Sequence, residues 1–238
     1  GATSAVLMLV FKDTILGLAA GVRLTSNDML HKGDWITVKS VDANGIVEDM
    51  SLTTVKVRNF DNTIVTISPA TLVNGSFQNW IGMQKSGGRR VKRIVYFDFR
   101  SIRLVDETLK QTLLAKHFAT EDSFKLKESL QKAIEKDIQE GKDIEDLKNP
   151  AALAPTNLQL YRRFMEKYLR QRPEVNTELT LMVRHMEATQ CGLPIEFYFF
   201  IKDKVWVNYE HILADIMEHA YALANEFGLK IYEQYPEQ

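Results

Sequence analysis

This sequence holds a single cysteine, Cys191. One thiol closes no intrachain disulfide, so a reducing compartment suits the chain. An excess of charge of one sign is missing too. The 30 Lys and Arg residues meet 31 Asp and Glu, for a formal net charge of −1. A dedicated DNA-binding domain carries a basic excess or a basic face, and the global balance supports neither. No P-loop, no GxGxxG after a strand, no GxSxG, no HExxH and no CxxC occurs. The motif-defined enzyme families are thereby excluded, and we expect no catalytic residue, cofactor or resident metal. No charged segment leading an apolar run marks a secretory leader. Internal repeats and low-complexity tracts are absent as well.

The 238 residues leave room for one large domain or two to three small ones. Apolar residues make up 45% and charged residues 26%, the values of an ordinary globular chain. The chain does not begin with Met, and we expect it to be part of something longer.

Two apolar runs open the sequence, Ala5 to Phe11 and Thr14 to Val22, with Lys12-Asp13 between them. The first is too short for a lipid-facing helix, which needs about 20 apolar residues. Joined, the two runs reach that length, but they place charge mid-segment, which is costly unless it faces water or protein. Gly17 and Gly21 form a GxxxG pair with Ala20 beside them, a spacing that lets helix backbones approach closely. Two readings follow. One is a helix packed against copies of itself or another helix, with a break near Lys12-Asp13. The other is a buried core helix.

From residue 35 the period shortens. Trp35–Val38, Gly45–Leu52, Thr54–Arg58 and Thr63–Ile67 are short and rich in β-branched residues. Asp42-Ala43-Asn44-Gly45 and Asn59-Phe60-Asp61-Asn62 supply turn chemistry between them. The pattern predicts a small, strongly bent barrel or sandwich. Lys85-Ser86-Gly87-Gly88 loosens the chain and marks a boundary. Beyond it, Val91 to Leu104 reads as a strand with Val95, Phe97 and Phe99 on one face. Helices are expected over Asp106–His117, Leu158–Arg170 and Glu210–Phe227, with Gly228 as an αL cap. Strands are expected over Leu179–Met186 and Ile195–Ile201, with a short last one over Leu229–Tyr232. The order is that of a split βαβ, ferredoxin-like sandwich.

Two constellations invite chemistry. His211, Asp215 and His219 recur every four residues on one helical face. Two turns separate the outer pair by about 11 Å, too far for one ion, and a solvated polar stripe is the default explanation. Arg89-Arg90-Val91-Lys92-Arg93 interleaves with Tyr96, Phe97 and Phe99, as RNA-binding strands do, although a core strand needs those aromatics anyway.

The stretch from Phe11 to Met83 resembles the signature region of MscS-like mechanosensitive channels. The residues that carry the likeness are Gly17-Leu18-Ala19-Ala20-Gly21, Lys32-Gly33-Asp34-Trp35-Ile36, Gly45-Ile46-Val47-Glu48-Asp49, Thr53-Thr54-Val55-Lys56-Val57 and Phe77-Gln78-Asn79-Trp80. The wording of these segments, with Ser86-Gly87-Gly88-Arg89-Arg90, is most similar to the YbdG miniconductance subgroup. The resemblance implies an α+β chain: a pore-lining transmembrane helix over 1–30, a Sm-like β domain over 31–84, and a ferredoxin-like cytoplasmic α/β domain over 85–238 with a helical insertion at 120–157. It implies a homoheptamer in the bacterial inner membrane, with the residues after about 30 in the cytoplasm. Lipids, ions and small solutes are its partners, with no nucleic acid. Ala5 and Leu9 match the family's constriction sites, Lys12 and Asp13 lie at its helix break, and Gly17, Ala20 and Gly21 pack the helix. The family often has leucine at both constriction sites and glycine at the break, where this chain has Ala5 and Asp13. The implied activity is opening under membrane tension to release ions and small solutes in hypo-osmotic shock. The rival expectation is a soluble Sm-like RNA-binding module.

Overall fold

Proline is absent before Pro69, so no residue of the opening segment lacks the amide that a helix needs. The computed structural model describes residues 2–125 and 154–234, with positions 132, 135, 136 and 139 between them, and side chains from residue 10 onward. A single helix, α1, runs over Ala2–Ser26, about 37 Å at 1.5 Å per residue. The expected break at Lys12-Asp13 does not occur. Both residues keep helical backbone and stand exposed, so neither charge is buried and neither amide is lost. The helix ends where Asp28 takes a left-handed conformation (φ 52°) and the Met29 amide donates to the Leu24 carbonyl at 3.1 Å. That is a Schellman-type stop, with Asp in the place usually held by Gly.

The chain divides into two compact units, Gly1–Ser86 and Gly87–Gln238. In the first, β1 (Trp35–Val38), β2 (Ala43–Met50), β3 (Val55–Asn59), β4 (Ile64–Ile67) and β5 (Gln78–Asn79) form one sheet. Its order is β4-β3-β2-β1-β5, with every neighbour antiparallel. Alternation sends Ile36, Val38, Val47, Val55 and Val57 into a core with Leu24 and Leu30. The register slips between Val47 and Asp49, a bulge that bends β2. Gly45 sits where β2 crosses β3, and an added Cβ would fall on the Arg58 carbonyl. The helix α2 (Pro69–Asn74) starts with Ser68 accepting from the Ala70 amide and Pro69 in its first turn. It packs against α1. The short helix α3 (Ile81–Lys85) closes the unit.

The second unit is built on β6 (Arg89–Phe97), β7 (Met182–His185) and β8 (Leu193–Ile201). The order is β6-β8-β7, with both pairs antiparallel, so β6 and β7 run the same way on either side of β8. Beyond Phe97 on the open side of β6, Ile231 adds one antiparallel bridge. Among the described residues, the helices bounded in this unit are α4 (Glu107–Ala115), α5 (Glu121–Phe124), α6 (Asn157–Gln171) and α7 (Trp206–Glu226). Leu113, Tyr161, Met165, Leu169 and Ile216 bury against Val91, Val95, Phe197 and Phe199 in one core. The strand expected to reach Leu104 stops at Phe97. Asp98 accepts from the Arg100 amide and opens a 3-10 turn over Phe99–Ser101, leaving Phe99 exposed rather than in the core. Most of the expected insertion lies outside the described residues.

Candidate functional site: the seat of the first helix

The residues singled out on α1 fall into three groups. Ala5 and Leu9 lie on the helix, one turn apart, ahead of the described side chains. Lys12 and Asp13 are exposed on its continuous middle. Val10, Phe11, Ile15, Leu16 and Val22 are also more than half exposed. A helix that shows apolar groups on every side is usually enclosed by other apolar matter. Among the described residues, no helix is long and apolar enough to cross a membrane.

The small residues then separate. An added Cβ on Gly17 would meet nothing within 4 Å. Ala20 and Gly21 are buried, and a Cβ on Gly21 would run into the backbone carbonyl of Leu52, in the β2–β3 turn. Gly21 therefore lets the helix lie directly on the sheet. Leu24, 1% exposed, plugs the same core, and burial of such a side chain is worth about 1.5–3 kcal/mol.

Below the helix, three signature segments meet the chain leaving α1. Asp34 is buried, 6% exposed. Its Oδ2 accepts from the His31 amide at 3.0 Å and from Nδ2 of Asn79 at 2.8 Å. Asn79 Nδ2 also donates to the Met29 carbonyl at 3.3 Å, while Asn79 Oδ1 accepts from the Ile81 amide at 2.9 Å. The Gly33 amide donates to the Val47 carbonyl, and the Val47 amide to the Asp34 carbonyl. Gly33 holds φ at 93°, a value that favours glycine. Chain leaving α1, strand β1, strand β2 and the β5–α3 corner are thus fastened at one point. Beside it, Trp35 stacks on Trp80 with ring centroids 4.7 Å apart, and Phe60 meets Trp35 edge-on at 5.3 Å. Trp35 Nε1 donates to Asn44 Oδ1 and Trp80 Nε1 to Thr37 Oγ1, both near 3 Å. Asp34 and Asn79 stood in the sequence pattern, but their pairing requires the β1–β5 register, which no local signal supplies.

The two rival constellations disperse. His219 Nδ1 lies 2.9 Å from the Asp215 carbonyl, and its ring stacks on Tyr168. Among the described residues, no group of three or more His, Cys, Asp or Glu is placed to hold a metal ion. In the basic strand, Val91 and Phe97 enter the core, whereas the Arg89 guanidinium lies 4.2 Å over the Tyr209 ring. Tyr209 donates to the Arg90 carbonyl, and burial pushes its phenol up while the Arg89 charge opposes that shift.

Residues 13–82 match the family described as the beta-domain of mechanosensitive ion channels. The small-conductance mechanosensitive channel MscMJ of Methanocaldococcus jannaschii is 33% identical over 73 residues, 31% of this chain and 20% of that protein. An uncharacterized MscS family protein of Aquifex aeolicus is 33% identical over 88 residues, 37% of this chain and 23% of that one. The chain thus spans about a fifth of the length of these curated relatives. In fold it is similar to Arabidopsis thaliana MSL1, with a TM-score of 0.63 at 10% identity over 98% of this chain and 64% of that one. It is also similar to the closed state of Helicobacter pylori MscS, with a TM-score of 0.60 at 12% identity over 100% of this chain and 70% of that one. The first unit holds the segment that matches this beta-domain family. Over that segment the chain is similar to members of the MscS family.

Proposed function

We propose that this chain is part of a subunit of a mechanosensitive ion channel, which opens under membrane tension to release ions and small solutes in hypo-osmotic shock. The observation that carries the reading is the seat of α1. An apolar helix, exposed along most of its described length, is clamped at its end to a β-domain of the channel family by Gly21, Asp34 and Asn79. A helix so held transmits a displacement of its apolar half to the sheet beneath. Tension shifts such an equilibrium only when the closed and open states respond to it differently, and the wider state is the one favoured.

In this reading residues 1–30 line the pore, 31–84 form a Sm-like β domain, and 85–238 form a ferredoxin-like cytoplasmic domain whose insertion at 120–157 decorates it. The strand order of the second unit, with β8 between two strands of like direction, supports that last assignment. Apolar rings at Ala5 and Leu9 close the pore by dewetting when narrow. Lys12 and Asp13 stand on the exposed side of the helix, and Gly17 with its open surroundings accepts a neighbouring helix. Seven copies assemble in the bacterial inner membrane, among lipids, with the residues after about 30 in the cytoplasm. The similarity to the YbdG miniconductance subgroup is the finer assignment. Patch-clamp recording of the full-length subunit tests the gate. Leu9→Ser is expected to lower the opening tension, and an unchanged threshold would remove Leu9 from the constriction. Native mass spectrometry tests the heptamer separately.

A further inference from the structure

Against α6 in the second unit lies a cavity of about 310 Å³, within the range of small-ligand sites. Among the described residues, its walls hold no carboxylate. Arg163 and Lys167 stand one turn apart on α6 and both line it. Among the described residues, neither has an acidic partner or a hydrogen bond. Two unpaired cations side by side on one helix repel each other, an arrangement that an anion between them would relieve. Tyr168 lines the same cavity, and its hydroxyl is buried with no hydrogen-bond partner. Buried hydroxyls are normally paired, so this one is a donor in want of an acceptor. Thr120 and Ser123 bring two further hydroxyls, 3.2 Å apart. Phe118 and Phe164, edge-to-face at 5.3 Å, supply an apolar wall.

His117 adds an independent sign. It takes φ of 59° after α4, where the Phe118 amide donates to the Leu113 carbonyl. Glycine is the usual residue at such a helix stop, and a side chain there costs about 1 kcal/mol. The histidine pays that backbone strain at the edge of the cavity.

We propose that this cavity binds a phosphate monoester with an apolar body. Its phosphate meets Arg163 and Lys167, and its body lies against Phe118 and Phe164. A guanidinium fork, an ammonium and the hydroxyls offer more donors than the two oxygens of a carboxylate accept, and three phosphate oxygens match them better. Binding in solution does not depend on conduction, so the site stands or falls apart from the channel reading.

The test is calorimetric titration of the whole chain with phenyl phosphate, and with inorganic phosphate and benzoate as separate arms. Saturable one-to-one binding of phenyl phosphate, tighter than either arm, is the expected result. The double variant Arg163→Gln, Lys167→Gln is expected to weaken it at least tenfold. His117→Gly is expected to weaken it while leaving thermal stability equal or higher. Lys230→Gln, outside this cavity, is expected to change nothing. Amide chemical shifts of the unaltered chain are expected to move at Thr120, Ser123 and Tyr168, a readout that needs no variant to fold. No binding at millimolar phenyl phosphate, equal affinity for benzoate, undiminished binding by the double variant, or shifts confined to other residues would each overturn the site.

Discussion

Asn79 donates its side-chain amide to the Asp34 carboxylate at 2.8 Å across 45 residues of sequence. The same amide nitrogen reaches the Met29 carbonyl, so one side chain ties the strand β1, the corner after β5 and the chain leaving the first helix. Asn79→Ala strips a buried carboxylate of one of its two donors. Loss of such a bond to a charged group costs about 1–3 kcal/mol. Urea unfolding should show a lower midpoint with an unchanged slope. Asn79→Asp should be worse near neutral pH, because it sets a second carboxylate against Asp34. Equal stability of Asn79→Ala and the unaltered chain would mean that the pair does not fasten the helix seat.

Gating should follow stability at this joint. A looser seat lets α1 move without the sheet, so Asn79→Ala in the full-length channel is expected to shift the opening tension. Patch-clamp recording reads that shift directly.

Acid should weaken the start of α4 in a defined direction. Asp106 caps that helix by accepting from the Leu109 amide at 2.8 Å, and it also pairs with Arg103. The Leu109 bond first, and then Arg103, hold its carboxyl below the ordinary value of 3.8. A depressed carboxylate contributes stability that is full above its unfolded value and is lost as pH falls through its folded one. Asp106→Asn keeps a capping oxygen but no charge. It should therefore be less stable than the parent at about pH 6, and the difference should narrow as pH falls well below the ordinary carboxylate value of 3.8. Thermal unfolding on either side of that value measures it. A difference that persists in acid would assign the effect to the cap alone.

Alternation and turn chemistry made the strands of the first unit legible. Val47, Val55 and Val57 point inward where the period of two places them, and Asn44-Gly45 sits where the backbones crowd. The helix break was misread because charge was taken as a stop. Lys12 and Asp13 each keep an amide and reach solvent, so the helix continues through them. Three short elements, α2, β5 and α3, gave no period, being six residues or fewer. The last expected strand shrinks to the Ile231 bridge. In the sequence, Asn157 stands out only as the last residue of the expected insertion at 120–157. It is fully buried, donates to the Ser101 and Phe227 carbonyls, and accepts from the Arg103 and Leu158 amides. A side chain joining three distant segments leaves no trace in its neighbours along the chain.

Asn157 should accordingly be among the least replaceable residues of the second unit. Asn157→Ala leaves buried carbonyls and amides without partners, at about 1–3 kcal/mol each. Asn157→Asp keeps the shape but turns an oxygen toward the Ser101 and Phe227 carbonyls, so it should destabilise at least as much. Chemical denaturation of both variants tests this, and a loss under about 1 kcal/mol for either would mean that water replaces the side chain.

The two glycines of α1 should part company when each becomes alanine. At Gly21 the new methyl meets the backbone of Leu52, which cannot move as a side-chain tip would, so the helix must lift from the sheet. That loosens Leu24 from its core, and overpacking of this kind costs about 1–3 kcal/mol. At Gly17 the methyl enters open space. Alanine is the better helix former by about 1 kcal/mol, so Gly17→Ala should leave this chain as stable or more so. Thermal unfolding separates the two. The channel reading adds a second expectation for Gly17, because a neighbouring helix in the assembled pore would meet that methyl. Gly17→Ala should then alter gating while sparing stability. An unchanged opening tension would mean that no helix packs at Gly17, and would leave Gly21 as the small residue that matters.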